Sequence, residues 1–280
     1  ISTYNLHKMY LKRNAEDTLL QLMQWYPVIA ITGPRQSGKT TLVRHCVASK
    51  PYVTLEDLDQ REYATADPRG FLEQYPDGAI LDEIHHAPAL LSYLQTRVDN
   101  DPRKGLFILT GSQQFGLRDQ IAQTLAGRVG LLELLPLSLN ELSSIEPAIT
   151  LPEQLWRGGY PRIRIEGIPP NIWLSDYVST YIERDVRRLI NIRNLSSFQR
   201  FLHMCAARTG QLLNLSALAA DCGITHNTAK EWISVLEASY ILFLLQPYHQ
   251  NFGKRLVKTP KLYFYDTALA AWLGNIRRPE

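Results

Sequence analysis

The eight residues GPRQSGKT at positions 33–40 constrain this chain more than any other stretch. They fit the pattern GxxxxGK[ST] without a mismatch. They also sit in the right place, between an apolar run, Val28 to Ile31, that reads as a strand buried on both faces, and a helical stretch beginning near Gly38. Glycines at 33 and 38 let the backbone curl so that its N–H groups face inward, and the start of the helix adds partial positive charge. Such a nest of donors suits phosphate. The loop Gly33, Pro34, Arg35, Gln36, Ser37, Gly38, Lys39, Thr40 and Thr41 is therefore expected to hold ATP, with Lys39 reaching the β and γ phosphates and the Thr40 hydroxyl serving Mg²⁺.

A phosphate loop needs a carboxylate to hold its metal, and GAILDE at 78–83 supplies one at the end of a second apolar strand. Asp82 is the candidate for Mg²⁺, through its water shell, and Glu83 for polarising the attacking water. The adjacent glutamate argues against a simple kinase and for hydrolysis, with an extra strand between the two phosphate motifs. Ser112, closing LFILTGS, is placed to sense the γ-phosphate, with Thr110 competing for that role. Arg128 in LAGR is a candidate charge clamp for the nucleotide of its own or a neighbouring subunit, and Arg118 is a weaker one. His85 and His86 are not expected to bind metal, because adjacent histidines diverge on a helix and HExxH is absent. Cysteines 46, 205 and 222 have no paired spacing and read as small buried hydrophobes.

Short apolar strands at Tyr52 to Leu55, Ala79 to Leu81, Leu106 to Leu109 and Val129 to Leu134 alternate with helical stretches, one of them Ala15 to Trp25. That alternation predicts an α/β domain with a parallel sheet over 1–154. The Pro- and Gly-rich region that follows reads as a linker and connecting helix over 155–195, the helix running from Ile172 to about Leu189. Residues 196–280 read as a winged helix. A first helix at Leu215 to Asp221, a turn at Gly223, a second helix capped by Thr225 or Asn227, and two strands around a basic loop give that layout.

Charge is divided unevenly. The net charge of +3 combines 14 basic and 18 acidic residues in 1–154 with 16 basic and 9 acidic in 155–280. The basic half admits double-stranded DNA as a partner, with Lys230 on the second helix and Lys254, Arg255 and Lys258 in the wing as candidate contacts. Arg184 or Arg187 in the connecting helix is a candidate for relaying nucleotide state. No apolar run is long enough to span a membrane and the opening lacks an apolar leader, so a cytoplasmic location is expected. A homo-oligomer is compatible with the sequence but not specified by it.

GPRQSGKTTL, AILDEIHHAP, FILTGSQQF, LAGRVGLLELLPLSLNEL, GGYPR, YIERDVR and KLYFYDTALAAWL occur in an order that resembles the prokaryotic AAA-type ATPases carrying a DUF4143 region. The resemblance covers nearly the whole chain. It implies an ATPase of the additional-strand, catalytic-glutamate class followed by a winged helix, with Asp82 and Glu83 as the Walker B pair and Ser112 at the sensor position. It also implies a nuclease-like region beyond FYDTALAAWL, and no nuclease residue is assigned within these 280 residues. Two functions are thus expected: Mg²⁺-dependent ATP hydrolysis that repositions the winged helix, or a nucleotide-gated DNA-binding switch with little turnover.

Overall fold

The computed structural model describes residues 10–111, 117–186, 194–248 and 259–279. The chain folds as two compact units, Ile1–Pro147 and Ala148–Glu280.

The first unit is built on five parallel strands, β1 (Val28–Thr32), β2 (Tyr52–Thr54), β3 (Ile80–Asp82), β4 (Phe107–Gly111) and β5 (Val129–Glu133). They lie in the order β2-β3-β4-β1-β5, so β4 separates the strand entering the phosphate loop from the strand ending in Asp82. β1, β3 and β4 are buried along their whole length, which explains their unbroken apolar character. Alternate side chains then serve two cores. Ile29, Ile31, Ile80 and Ile108 pack with Leu19 of helix α1 (Ala15–Trp25) and with Leu42 and Val43 of α2 (Lys39–Cys46). Val28, Ala30, Leu81, Phe107 and Leu109 pack on the other face. They meet Ala64 of α3 (Leu58–Ala66), Phe71 of α4 (Pro68–Glu73), Leu91 and Leu94 of α5 (Leu90–Asp99) and Ile121 of α6 (Leu117–Thr124). A capping box between Ser138 and Glu141 starts α7 (Leu139–Ser143).

In the second unit, α8 (Leu151–Arg157), α9 (Pro161–Arg164) and α10 (Pro170–Tyr177) come first. The helix expected from Ile172 is helical without a break from Pro170 to Val186, α10 passing into π-helical backbone over Val178–Val186, and its expected end near Leu189 lies outside the described residues. This region is not an open linker. Tyr160, Trp173, Tyr177 and Tyr181 are buried in one core with Phe198, Phe201 and Trp232. Its prolines and glycines make tight turns inside that core: Gly158 has φ +62°, and a Cβ there would lie 2.4 Å from Asp266 Oδ1.

The rest of the unit runs α11 (Leu195–Ala207), α12 (Leu215–Cys222), α13 (His226–Ala238), β6 (Leu242–Leu245), β7 (Lys261–Phe264) and α14 (Thr267–Leu273), with β6 and β7 antiparallel. Gly223, with φ +66°, ends α12, and the Thr225 hydroxyl accepts from Thr228 N–H at 3.1 Å to start α13. The expected inward residues Leu218, Ala219, Trp232, Ile233 and Leu236 are all buried. Among the described residues, no helix is long and apolar enough to cross a membrane.

Candidate nucleotide site

The loop between β1 and α2 is shaped by close backbone approach. A Cβ on Gly33 would lie 2.2 Å from the Leu134 carbonyl oxygen, so no larger residue fits without moving β5's exit. Gln36 and Gly38 take φ of +62° and +94° and complete the curl. Lys39 opens α2 with its side chain buried, and Nζ donates to the carbonyls of Gly33 at 3.0 Å and Pro34 at 2.8 Å. Burial pushes its pKa down to about 8, against the opposing pull of Glu83 and Asp82. An ammonium held there is poorly compensated, and a phosphate would supply the missing charge. Ser37 is fully buried, and among the described residues its Oγ has no hydrogen-bond partner, which makes it a second donor available in the loop.

An arginine outside every recognised motif braces the loop from below. Arg13 is buried and donates to the Ser37 carbonyl at 2.9 Å, the Leu135 carbonyl at 2.7 Å and Glu141 Oε1 at 3.0 Å. Burial raises the Glu141 carboxyl, but N–H groups of Ser138 and Asn14 together with Arg13 hold it below its ordinary value. Replacing Arg13 by Met takes the guanidinium away from that carboxylate and from two backbone carbonyls. The expected loss is about 3 kcal/mol of stability, read as a lower urea midpoint, and an unchanged midpoint would show that the brace is dispensable.

The metal carboxylate sits at the end of β3, where three hydroxyls converge. Thr40 Oγ1 lies 3.1 Å from both oxygens of Asp82, Tyr52 donates to Oδ2 at 2.6 Å, and Thr110 donates to Oδ1. The Thr110 hydroxyl in turn accepts from Glu83 N–H at 3.3 Å. One anionic and one neutral hard oxygen, Asp82 and Thr40, fit a magnesium ion that keeps most of its water and takes the rest of its shell from phosphate. Glu83 has left-handed backbone, φ +56° and ψ +50°, a conformation that costs about 1–3 kcal/mol in a non-glycine residue. Its Oε2 lies 3.0 Å from His85 Nδ1, a close approach without hydrogen-bond alignment. Beside it, His86 is pushed down to about 4, chiefly by burial and then by His85, and stays neutral. Among the described residues, no group of three or more His, Cys, Asp and Glu side chains could hold a metal ion.

Residues 26–143 match the AAA domain family, across β1 to β5 and both phosphate motifs. The first unit is thus similar to AAA-type P-loop domains. Residues 149–280 match a domain of unknown function, DUF8612, and this replaces the DUF4143 region implied by the sequence resemblance. Uncharacterized proteins of Mycobacterium tuberculosis and Mycobacterium bovis are each 31% identical over 270 residues, covering 92% of this chain and 58% of their own length. The chain thus spans little more than half of these curated relatives. The Walker-type ATPase of Pyrococcus abyssi is similar in fold, with a TM-score of 0.60 at 14% identity, covering 94% of this chain and 96% of its own.

Within the first unit, Gly33 to Thr40, Asp82, Glu83 and Thr110 are brought to the C-terminal ends of neighbouring strands, while Thr41 is exposed on α2. Arg128 is not with them. Its carbonyl accepts from Val28 N–H, at the start of β1, whereas the phosphate loop leaves from the end. Five residues of strand put the two about 16 Å apart. The guanidinium is held there by Asp99, with Nε and Nη2 at 2.5 and 3.0 Å from its carboxylate oxygens. Action of Arg128 on its own subunit's nucleotide is thereby corrected. Ser112, Lys254, Arg255, Lys258, Arg187 and Arg188 lie outside the described residues, as do the side chains of Arg118 and Arg184. Lys230 is exposed on α13. Sequence reasoning missed Tyr52 and Arg13. Tyr52 belongs to a strand with no motif, and Arg13 to a segment that carries no pattern beyond the start of α1.

Proposed function

We propose that the chain is a Mg²⁺-dependent ATP hydrolase of the additional-strand, catalytic-glutamate class, whose nucleotide state repositions a winged helix formed within 195–264. The observation that carries this reading is the meeting of Lys39, Thr40, Asp82 and Glu83 at the ends of β1 and β3 with β4 between them. Backbone N–H groups of the loop and the Lys39 ammonium stabilise negative charge on the transferring phosphoryl group. Thr40 and the water around Asp82 would hold Mg²⁺, which would supply positive charge to the phosphates. Glu83 orients water toward the terminal phosphorus and takes its proton. Thr110, linked to both Asp82 and the Glu83 backbone, is the group through which the metal carboxylate and the base are kept in step.

For the second unit, the order α11, α12, α13, β6 and β7, with α12 and α13 joined by the Gly223 turn, supports the winged-helix reading. An isolated antiparallel bridge between Leu212 and Lys261, beside β7, supports the same layout. A nucleotide-gated DNA module is the second reading, favoured by exposed Lys230 on α13.

One experiment tests both. Steady-state ATP hydrolysis with Mg²⁺ is measured on the whole chain and on Lys39→Ala, with and without double-stranded DNA. Turnover that disappears in Lys39→Ala supports the hydrolase, and stimulation by DNA ties the basic half to it. ATP binding without turnover, together with salt-sensitive DNA binding, favours the switch. Absence of nucleotide binding overturns both readings.

A further inference from the structure

We propose that Tyr52 is a positioning residue for the metal: its phenol fixes Asp82 in the orientation that receives Mg²⁺. The proposal rests on the ATP reading above and goes beyond it, since no phosphate motif contains this residue.

The placement follows from register. β2 is a three-residue edge strand paired in parallel with β3, with Tyr52 opposite Ile80 and Thr54 opposite Asp82. Tyr52 is thus two residues short of the carboxylate, about 6.6 Å along the strand. The length of a tyrosine side chain spans that gap, and its hydroxyl ends 2.6 Å from Asp82 Oδ2. A phenylalanine would fill the same space without reaching the carboxylate.

The ring itself is held. The Arg44 guanidinium lies over it, 4.9 Å from its centroid. Arg44 stands four residues after Thr40 on α2, so both project from the same side of that helix. One side chain therefore links β2, the metal carboxylate at the end of β3, and the helix that begins with Lys39 and Thr40.

The consequence lies in how Asp82 is pinned. Thr110 takes Oδ1 and Tyr52 takes Oδ2, from opposite neighbouring strands, while Thr40 sits at 3.1 Å from both. Donors on both oxygens stop the carboxylate from rotating about its terminal bond and leave its remaining lone pairs to the water shell of the ion. With Tyr52 removed, Oδ2 loses its donor from the β2 side. Hydrogen-bonding partners behind metal ligands are worth about 10–100-fold in metal affinity.

The test titrates Mg²⁺ against binding of a fluorescent ATP analogue to the whole chain, to Tyr52→Phe and to Tyr52→Leu. Thermal unfolding without nucleotide is measured beside it. Tyr52→Phe is expected to raise the Mg²⁺ concentration for half-maximal effect by about tenfold. Metal-free nucleotide binding and the unfolding temperature should change little, because the loop, Lys39 and the Arg44 contact remain, and turnover should recover at high Mg²⁺. An unchanged Mg²⁺ midpoint in Tyr52→Phe overturns the proposal. So does a parallel loss of metal-free binding and thermal stability in both variants, which would mark Tyr52 as packing alone. If the unaltered chain binds nucleotide without regard to Mg²⁺, the ATP·Mg reading fails first and the proposal with it.

Discussion

Replacing Glu83 by glutamine is expected to leave ATP bound and to lower its hydrolysis on the order of 10³-fold. Glutamine keeps the size of the side chain and its hydrogen-bonding reach but cannot take a proton from water at neutral pH. The phosphate loop, Lys39 and Asp82 are untouched, so nucleotide affinity should stay within a few-fold of the original. Glu83 is also a sharp probe for a structural reason. It occupies left-handed backbone between β3 and the helical turn Ile84–His86, and its N–H is committed to Thr110. An isosteric replacement preserves that backbone, whereas alanine would change local strain along with chemistry. Phosphate release and nucleotide binding, measured side by side, check the expectation. Equal turnover in Glu83→Gln would sink the assignment of the base.

Arg128→Ala is the second large effect, and it depends on assembly. In this domain Arg128 stands at the strand starts, at the end of the sheet opposite its own phosphate loop. An arginine so placed can serve catalysis only by meeting the nucleotide of another subunit. If it does, its loss should lower turnover on the order of 10³-fold while each subunit still binds ATP. Mixing is the decisive measurement. Arg128→Ala supplies an intact nucleotide site and Lys39→Ala supplies an intact arginine, so the mixture should recover activity that neither has alone. Turnover of the original chain should also rise with protein concentration. Full activity in Arg128→Ala, or no recovery on mixing, would reduce Arg128 to the partner of Asp99. That pairing is mutual in its electrostatics: hydrogen bonding from Arg128 holds the Asp99 carboxyl below its ordinary value, and Asp99 raises the guanidinium.

The phosphate site was legible in the sequence because its chemistry is local. GPRQSGKT needs glycine where the backbone passes Leu134 and where φ is positive, so the pattern survives as letters. The sheet was legible for a similar reason: strands covered on both faces are written as unbroken apolar runs. What stayed hidden depends on distance in space. Arg13 reaches Ser37, Leu135 and Glu141 across as many as 128 positions, and Tyr52 reaches Asp82 through a strand register that composition does not encode. LAGR likewise gave Arg128 its candidacy but not its end of the sheet. The segment 155–195 misled for another reason. Pro and Gly signal turns, and turns occur inside a core as readily as between domains when aromatic residues such as Tyr160 and Trp173 fill the spaces around them.

The bond from Gly159 N–H to Asp266 Oδ2, 2.7 Å long and buried, joins positions 107 residues apart. Asp266 also accepts from Leu269 N–H at 3.0 Å, so the same carboxylate starts the last helix of the unit. The turn between α8 and α9 and the start of α14 therefore meet side by side. Asp266 thus acts as a clasp, and Asp266→Ala would release the Gly159 turn and the start of α14 together, loosening one core at two places far apart in sequence.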